Sequence, residues 1–494
     1  MHMKSNKTVT VRNEKLQAGQ GVSATKMHIP SKILCFSVAG KACNMKLEYT
    51  VAQRLAKGRF LFREERYTVG KTAIVKIMER AAGRSVQVGD RVWCNVDLAS
   101  ARDFGGANCV LQFEKEMGME ARVWDPDKVA YTFDLQAPSH SEKVSNNQKI
   151  IREFAKRQGI KHLFDINHGI GQHVMLEAGL VKPGDVILGT DSHMNLLGAV
   201  GAFATGVGNS DVAAAYINGT SWFRVPETMK IVVNGTFQKG VCMRDLLTKI
   251  VGDLGAGGMD YLAVEFVGET IDNASLAERI TLCSMVTEMS GKVPLIMPNG
   301  KVLDWLVERA GEEVLERVKS LSADPDAEYC RVLEYDVSDL EPMASCPDAP
   351  DNVKTVREVA GTHVDQVHIG SCSNGRYEDI KEAHTVLMAA GGKVNPGTRV
   401  IITPSTTEVQ MQCVKEGLVL DFLMAGVVFT NPTCALCTAE HYGALPSGDV
   451  GVATNNRNFI GKVGKGSHTY LLSPMAAMAT AVKGVITDPR DFLG

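Results

Sequence analysis

The sequence predicts an α/β fold of parallel sheets layered with helices. Two observations predict it: short apolar runs of strand character alternate with segments of helical period, and 47 glycines supply the tight turns that βα connections need. Hydrophobic residues make up 45%, enough for a large core, and 494 residues at roughly 100–200 per domain predict about three domains. In chain order, the first clear helix is Asn146–Gln158, where Lys149, Ile150, Ile151, Phe154 and Ala155 recur at helical spacing. Asp185–Leu188 reads as a strand. Pro226 closes a Gly/Ala-rich stretch and precedes a second strand, Lys230–Val233. Val302–Val318 predicts one helix, and Ser338–Asn352, rich in Asp, Pro and Ser, predicts a linker. Beyond it, Val367–Ile369, a helix over Glu378–Ala390 and Arg399–Ile402 resume the alternation. The chain therefore divides into an extension, 1–70, and three α/β segments, 71–226, 227–343 and 344–494.

Net charge is only −3, but residues 1–80 carry 16 Lys/Arg against 5 Asp/Glu while the rest carries 37 against 51. That asymmetry reads as a solvated basic arm on an acidic body. Its charges are dispersed and lack aromatic interleaving, so nucleic acid is not the expected partner. No apolar run approaches the roughly 18 residues of a membrane span, and the opening Met-His-Met-Lys-Ser-Asn-Lys-Thr has no apolar signal core. Twelve scattered cysteines do not make a disulfide scaffold, and a reducing, cytoplasmic setting is expected.

Cys434-Ala-Leu-Cys437 is ambiguous by itself: a redox pair, half of a zinc site, or cluster ligands. Gly370-Ser-Cys-Ser-Asn-Gly375 adds a third cysteine, Cys372, between an apolar strand and a helical run, where free N–H groups and the helix dipole favour a thiolate. Pro432 marks a turn before Cys434. Three thiolates on turns suit three irons of a cubane and leave the fourth iron as a Lewis acid. Three buried cysteines at turns give the same spacing.

Four motifs together resemble the aconitase superfamily: Gly189-Thr-Asp-Ser-His193, Gly370–Gly375, Asn431-Pro-Thr-Cys-Ala-Leu-Cys437 and Asn456-Arg-Asn-Phe-Ile-Gly461. The resemblance runs from about Lys71 to the end. Val92–Asp97, Val123–Pro126, Gly201–Gly208, Ser473-Pro474 and Thr487–Arg490 are similar to the isopropylmalate dehydratase/homoaconitase large-subunit branch. It implies three α/β/α domains around a central [4Fe–4S] cluster on Cys372, Cys434 and Cys437. It also implies hydro-lyase or isomerase chemistry on a small hydroxy di- or tricarboxylate. Asp191, His193, Asp134, Glu288 and His173 are the candidate catalytic residues, and Asn456, Arg457, Lys462 and Ser192 the candidate substrate-binding ones.

Departures from the family pattern concern chemistry. Leu135 follows Asp134 where the family has a histidine, and leucine transfers no proton. Gln172-His173 reverses a His-Gln pair. Ser284 replaces asparagine, Met194 replaces threonine, and Lys462 replaces arginine, losing bidentate carboxylate binding. His173 or His140 is a candidate replacement acid. No Gly-Ser-Ser-Arg-like motif of a swivelling domain is present, so a small partner subunit is expected to complete the site. The alternatives are a paralogue with altered cluster-dependent lyase chemistry and a cluster-bearing regulatory or RNA-binding protein.

Overall fold

Val129–Thr132 and Val186–Gly189 are buried along their whole length, as parallel strands enclosed by helices must be. In the computed structural model they belong to the first of three larger sheets that succeed one another along the chain, beside a two-stranded antiparallel pair, Arg91–Asn95 with Thr220–Arg224. The structure describes residues 70–437 and 441–493, together with two short strands, Phe36–Val38 and Lys41–Cys43, that pair antiparallel. Apart from those strands and Gly70, the basic extension, 1–70, lies outside the described residues.

The first sheet is wholly parallel. Its order is His162–Phe164, Val129–Thr132, Leu98–Arg102, Val186–Gly189, Phe203–Gly206. The chain starts at the middle strand, Leu98–Arg102, moves outward to one side, then returns to the other. Its switch point therefore lies between Leu98–Arg102 and Val186–Gly189, and ligand sites of open α/β sheets form at the carboxyl ends beside such points. Helices Asp103–Met117, Glu142–Gln158 and Asn209–Asn218 pack beside this sheet. Around Phe113, Tyr131, Phe154 and Tyr216, edge and stacked ring contacts fill the core.

The second sheet orders Val293–Leu295, Ala263–Val267, Thr228–Asn234, Arg331–Asp336, again parallel. The third has seven strands: Val353–Thr355, Met343–Ser345, His468–Leu471, Val450–Ala453, Gln366–Ile369, Arg399–Ile402, Val428–Phe429. Only the pairs made by Met343–Ser345 are antiparallel. Its switch point lies between Gln366–Ile369 and Val450–Ala453.

Three expectations need correction. The single helix over 302–318 is two, Gly300–Ala310 and Glu313–Leu321, because Gly311 between them takes φ 91, outside helical space. The linker over 338–352 contains the buried strand Met343–Ser345. The helix after Cys372 begins only at Tyr377, so its dipole, which acts within the first turn, does not reach that thiol. No described helix is long and apolar enough to cross a membrane. The ten cysteines from Cys94 to Cys437 are free.

Candidate active site

The two switch points supply the site. Arg102 ends the middle strand of the first sheet, Asp134 lies two residues beyond Val129–Thr132, and Asp191 and His193 follow Val186–Gly189. Cys372 follows Gln366–Ile369, Cys434 and Cys437 follow Val428–Phe429, and Asn456 and Arg457 follow Val450–Ala453. Every one of these residues leaves the carboxyl end of a parallel strand. Glu288 arrives from the second segment, in the turn Val286–Met289.

The three cysteines converge. The Cys437 thiol is within hydrogen-bond reach of Cys372 and Cys434; the Cys372 contact and burial push it up to about 12, with the Cys434 contact opposing them. Asn456 Nδ2 lies 3.5 Å from Cys372 Sγ, and Arg102 Nη2 donates to Cys434 Sγ at 2.9 Å. Three thiols converging on one point, two of them buried and one half-buried, with N–H donors aimed at two of the sulfurs, form a donor set suited to a metal group. The residues fit an iron–sulfur group held by Cys372, Cys434 and Cys437. A different trio, Asp134, Asp191 and Cys434, brings its ligand atoms within 4.8 Å of one another. There the positive charge is already present, as the Arg102 guanidinium. Its Nε and Nη2 lie 2.8 and 2.7 Å from Asp134 Oδ1, and its Nη1 is 2.6 Å from Asp191 Oδ2.

Burial and the nearby carboxylates of Asp103 and Asp191 push Asp134 up to about 7, against Arg102. Burial also raises Asp191, but Arg102 and His193 outweigh it and hold that carboxyl well below its usual range. Of the two acids sharing Arg102, Asp191 carries the charge. His193 donates its backbone N–H to Asp191 Oδ1 (2.9 Å), and its Nε2 lies 3.0 Å from Glu288 Oε1. Burial lowers the imidazole's pKa, yet the two carboxylates overcome this and raise it. Arg457 Nε donates to Glu288 Oε1 at 2.7 Å. Burial raises Glu288, while His193 and Arg457 bring it below its ordinary value. The result is a chain of alternating charge, Arg102–Asp191–His193–Glu288–Arg457.

Other predicted residues stand around this chain. Ser192 is half-buried, with Oγ 3.4 Å from His193 Nδ1. Lys462 is half-exposed; its ammonium lies over the Phe459 ring and near enough to Cys437 to lower that thiol. His173 is fully buried; its Nε2 faces the Cys372 carbonyl oxygen at 2.9 Å, and burial pushes it down to about 3. Its ring is therefore neutral and tied to the cysteine loop. His140 is exposed, and Leu135 packs in the core. Ser284 donates to the Thr281 carbonyl and lies 3.4 Å from Asn456 Oδ1. Gln172 and Met194 line a cavity of about 10 Å³ with Ser100, Arg102, Thr132 and Asp134. That is room for about one water, and neither polar atom of the Gln172 amide has a protein partner.

Sequence reasoning missed two arginines. Arg102 carried a signal, a charge ending the buried strand Leu98–Arg102. Arg244, 1% exposed, donates to the Asn455 carbonyl (2.6 Å) and reaches Ser373, Asn374 and Asn456, bracing both loops of the third segment. Only its place just past a helix start hinted at a buried role.

Fold and site together define a class: a multi-sheet α/β protein with a three-thiol centre and a chain of alternating charge at the switch points of two parallel sheets. The aconitase family (aconitate hydratase) model matches residues 76–484, and the chain belongs to that family. It is 44% identical to 3-isopropylmalate dehydratase large subunit 1 of Methanopyrus kandleri over 426 residues, 86% of this chain and 100% of that protein. It is 39% identical to a probable methanogen homoaconitase large subunit of Methanothermobacter thermautotrophicus over 423 residues, 85% of this chain and 97% of that one. A solved structure, aconitase X of Thermococcus kodakaraensis in its holo-form, is 13% identical with a TM-score of 0.43, covering 78% of this chain and 89% of that chain.

Proposed function

We propose that this chain is the large subunit of a hydro-lyase or isomerase that dehydrates or hydrates a small hydroxy di- or tricarboxylate in the cytoplasm. The observation that carries the proposal is the meeting of the three cysteines with the Asp191–His193–Glu288 relay at two switch points. Cys372, Cys434 and Cys437 would hold a [4Fe–4S] cluster, which when bound would supply Lewis-acid chemistry. His193, kept protonated by Asp191 and Glu288, gives a proton to the departing hydroxyl. Arg457 and Lys462 take the substrate's carboxylates, with Asn456 and Ser192 orienting them. Asp134 fixes Arg102 and the Cys434 loop, and His173 positions the Cys372 loop rather than moving a proton. The segments 71–226, 227–343 and 344–494 act as three domains. A small swivel-type subunit completes the site, as the relatives' names as large subunits suggest, and supplies the base.

A second reading, altered lyase chemistry on another substrate, is favoured by one observation. Leu135, at the position where the family pattern has a histidine, is packed in the core and transfers no proton, so that acid is missing here. Anaerobic reconstitution tests the centre: the protein should bind about four irons with absorbance near 400 nm, and Cys434→Ser should lose both. Zinc uptake in place of iron would overturn the assignment. Adding the partner subunit and a panel of unsaturated di- and tricarboxylates then separates the two readings by which acid is hydrated.

A further inference from the structure

Every nitrogen of the Arg102 guanidinium is engaged by a protein side chain. Nε and Nη2 are committed to Asp134, Nη1 to Asp191, and Nη2 also to Cys434 Sγ at 2.9 Å. Its backbone N–H donates to Thr190 Oγ1 at 3.1 Å, and it ends a strand in the middle of the first sheet, so its direction is set by the scaffold. The target is equally fixed. The Cys434 backbone N–H donates to the Asp134 carbonyl at 2.8 Å, and Thr433 Oγ1 donates to the same oxygen at 2.5 Å. Arg102 and the Cys434 loop are thus held against each other through one residue, Asp134.

The three thiols are consequently unlike. Among the described residues, Cys434 is the thiol with a charged N–H donating to its sulfur, whereas Lys462 acts on Cys437 through its charge. Cys372 faces the neutral Asn456 amide at the longer distance of 3.5 Å. A guanidinium N–H on a ligating sulfur withdraws electron density from it, which favours the more negatively charged, reduced form of any iron group the sulfur holds. The Asp191 carboxylate offsets Arg102's net charge, so the directed N–H···S contact is what remains.

We propose that Arg102 is a positioning residue that sets the electronics of the metal centre through Cys434, raising its reduction potential. This rests on the iron–sulfur reading above and deepens it. The test is the midpoint potential of the anaerobically loaded full chain, wild type against Arg102→Met, with iron content and thermal unfolding measured on both. The expected result is full iron, a folded chain and a more negative potential in Arg102→Met, with a smaller negative shift in Asn456→Ala. Full iron with an unshifted potential in Arg102→Met overturns the proposal. If Arg102→Met does not load, Arg102→Lys keeps the charge but cannot span Asp134, Asp191 and Cys434 together. A loaded Lys variant with a lowered potential supports the proposal, and one at the wild-type value overturns it. Failure of both folded variants to load overturns it too, since Arg102 would then only hold the loop. Failure of the wild type to bind iron strikes instead at the iron–sulfur reading.

Discussion

His193 sits between two carboxylates, and its chemistry depends on both. Removing the ring should therefore cost more than removing a neighbour. His193→Gln should lower kcat by about 10²–10⁴-fold, the usual worth of a positioned proton donor, with thermal stability little changed. Glu288→Gln removes one of the two groups that raise the imidazole. The imidazolium should then titrate at lower pH, and the alkaline limb of the activity profile should move down; an unmoved limb would remove His193 as the acid. A different residue, Asp245, governs stability rather than chemistry. Burial pushes its carboxyl from 3.8 up to about 7, although the backbone N–H groups of Cys242 and Met343 bond to it. An acid raised in the folded state binds a proton there that the unfolded chain has lost. Its contribution is therefore complete below about 3.8 and is lost as pH rises to about 7. Asp245→Asn should flatten the dependence of stability on pH across that window, where a single such group contributes up to about 1.4 kcal/mol per pH unit. Denaturant midpoints at several pH values measure it.

At the scale of elements, strand ends place the chemistry and glycines let them approach. Gly206 ends the outer strand Phe203–Gly206, and a Cβ there would lie 2.6 Å from the Asp191 carbonyl oxygen and 2.7 Å from Ser192 Cα. Both contacts are with backbone, so the neighbour cannot rotate away. Gly206→Ala should displace the Asp191–His193 turn, costing about 1–3 kcal/mol and a larger share of activity than of stability. Equal, small losses in both would show that the turn absorbs the methyl. The sequence made the strands legible because buried parallel strands are continuous apolar runs. Arg399–Ile402 is found over its predicted range, and Glu142–Gln158 contains the predicted helix, extended back to the cap at Ser141. The break at Gly311 was not legible, since a glycine within a helical pattern signals a stop only when its φ is known. Met343–Ser345 was hidden because three residues are too few to show a period.

On the scale of the whole molecule, two sheets far apart in sequence present their switch points to one site, with Glu288 entering from the segment between them. The two-subunit proposal makes a prediction at this scale. The chain alone should load iron but hydrate its substrate at a low rate, rising on titration with the small partner to a stoichiometric end point. Full turnover by the isolated chain would dismiss the partner. Family membership rests on four motifs spread over most of the chain, which is why it could be read from residues alone.

The sequence by itself determined the α/β class, the family, and the cysteines as a candidate set, because each rests on local patterns: apolar runs, turn residues and short motifs. It left open how those motifs act on one another. Only the tertiary structure decided that Arg102 lies against Cys434, 332 positions away, that His173 faces a carbonyl rather than the cavity, and that His193 is shared by Asp191 and Glu288. Those are contacts across sheets, and their energies depend on burial and on distances of a few ångströms that no spacing along the chain encodes.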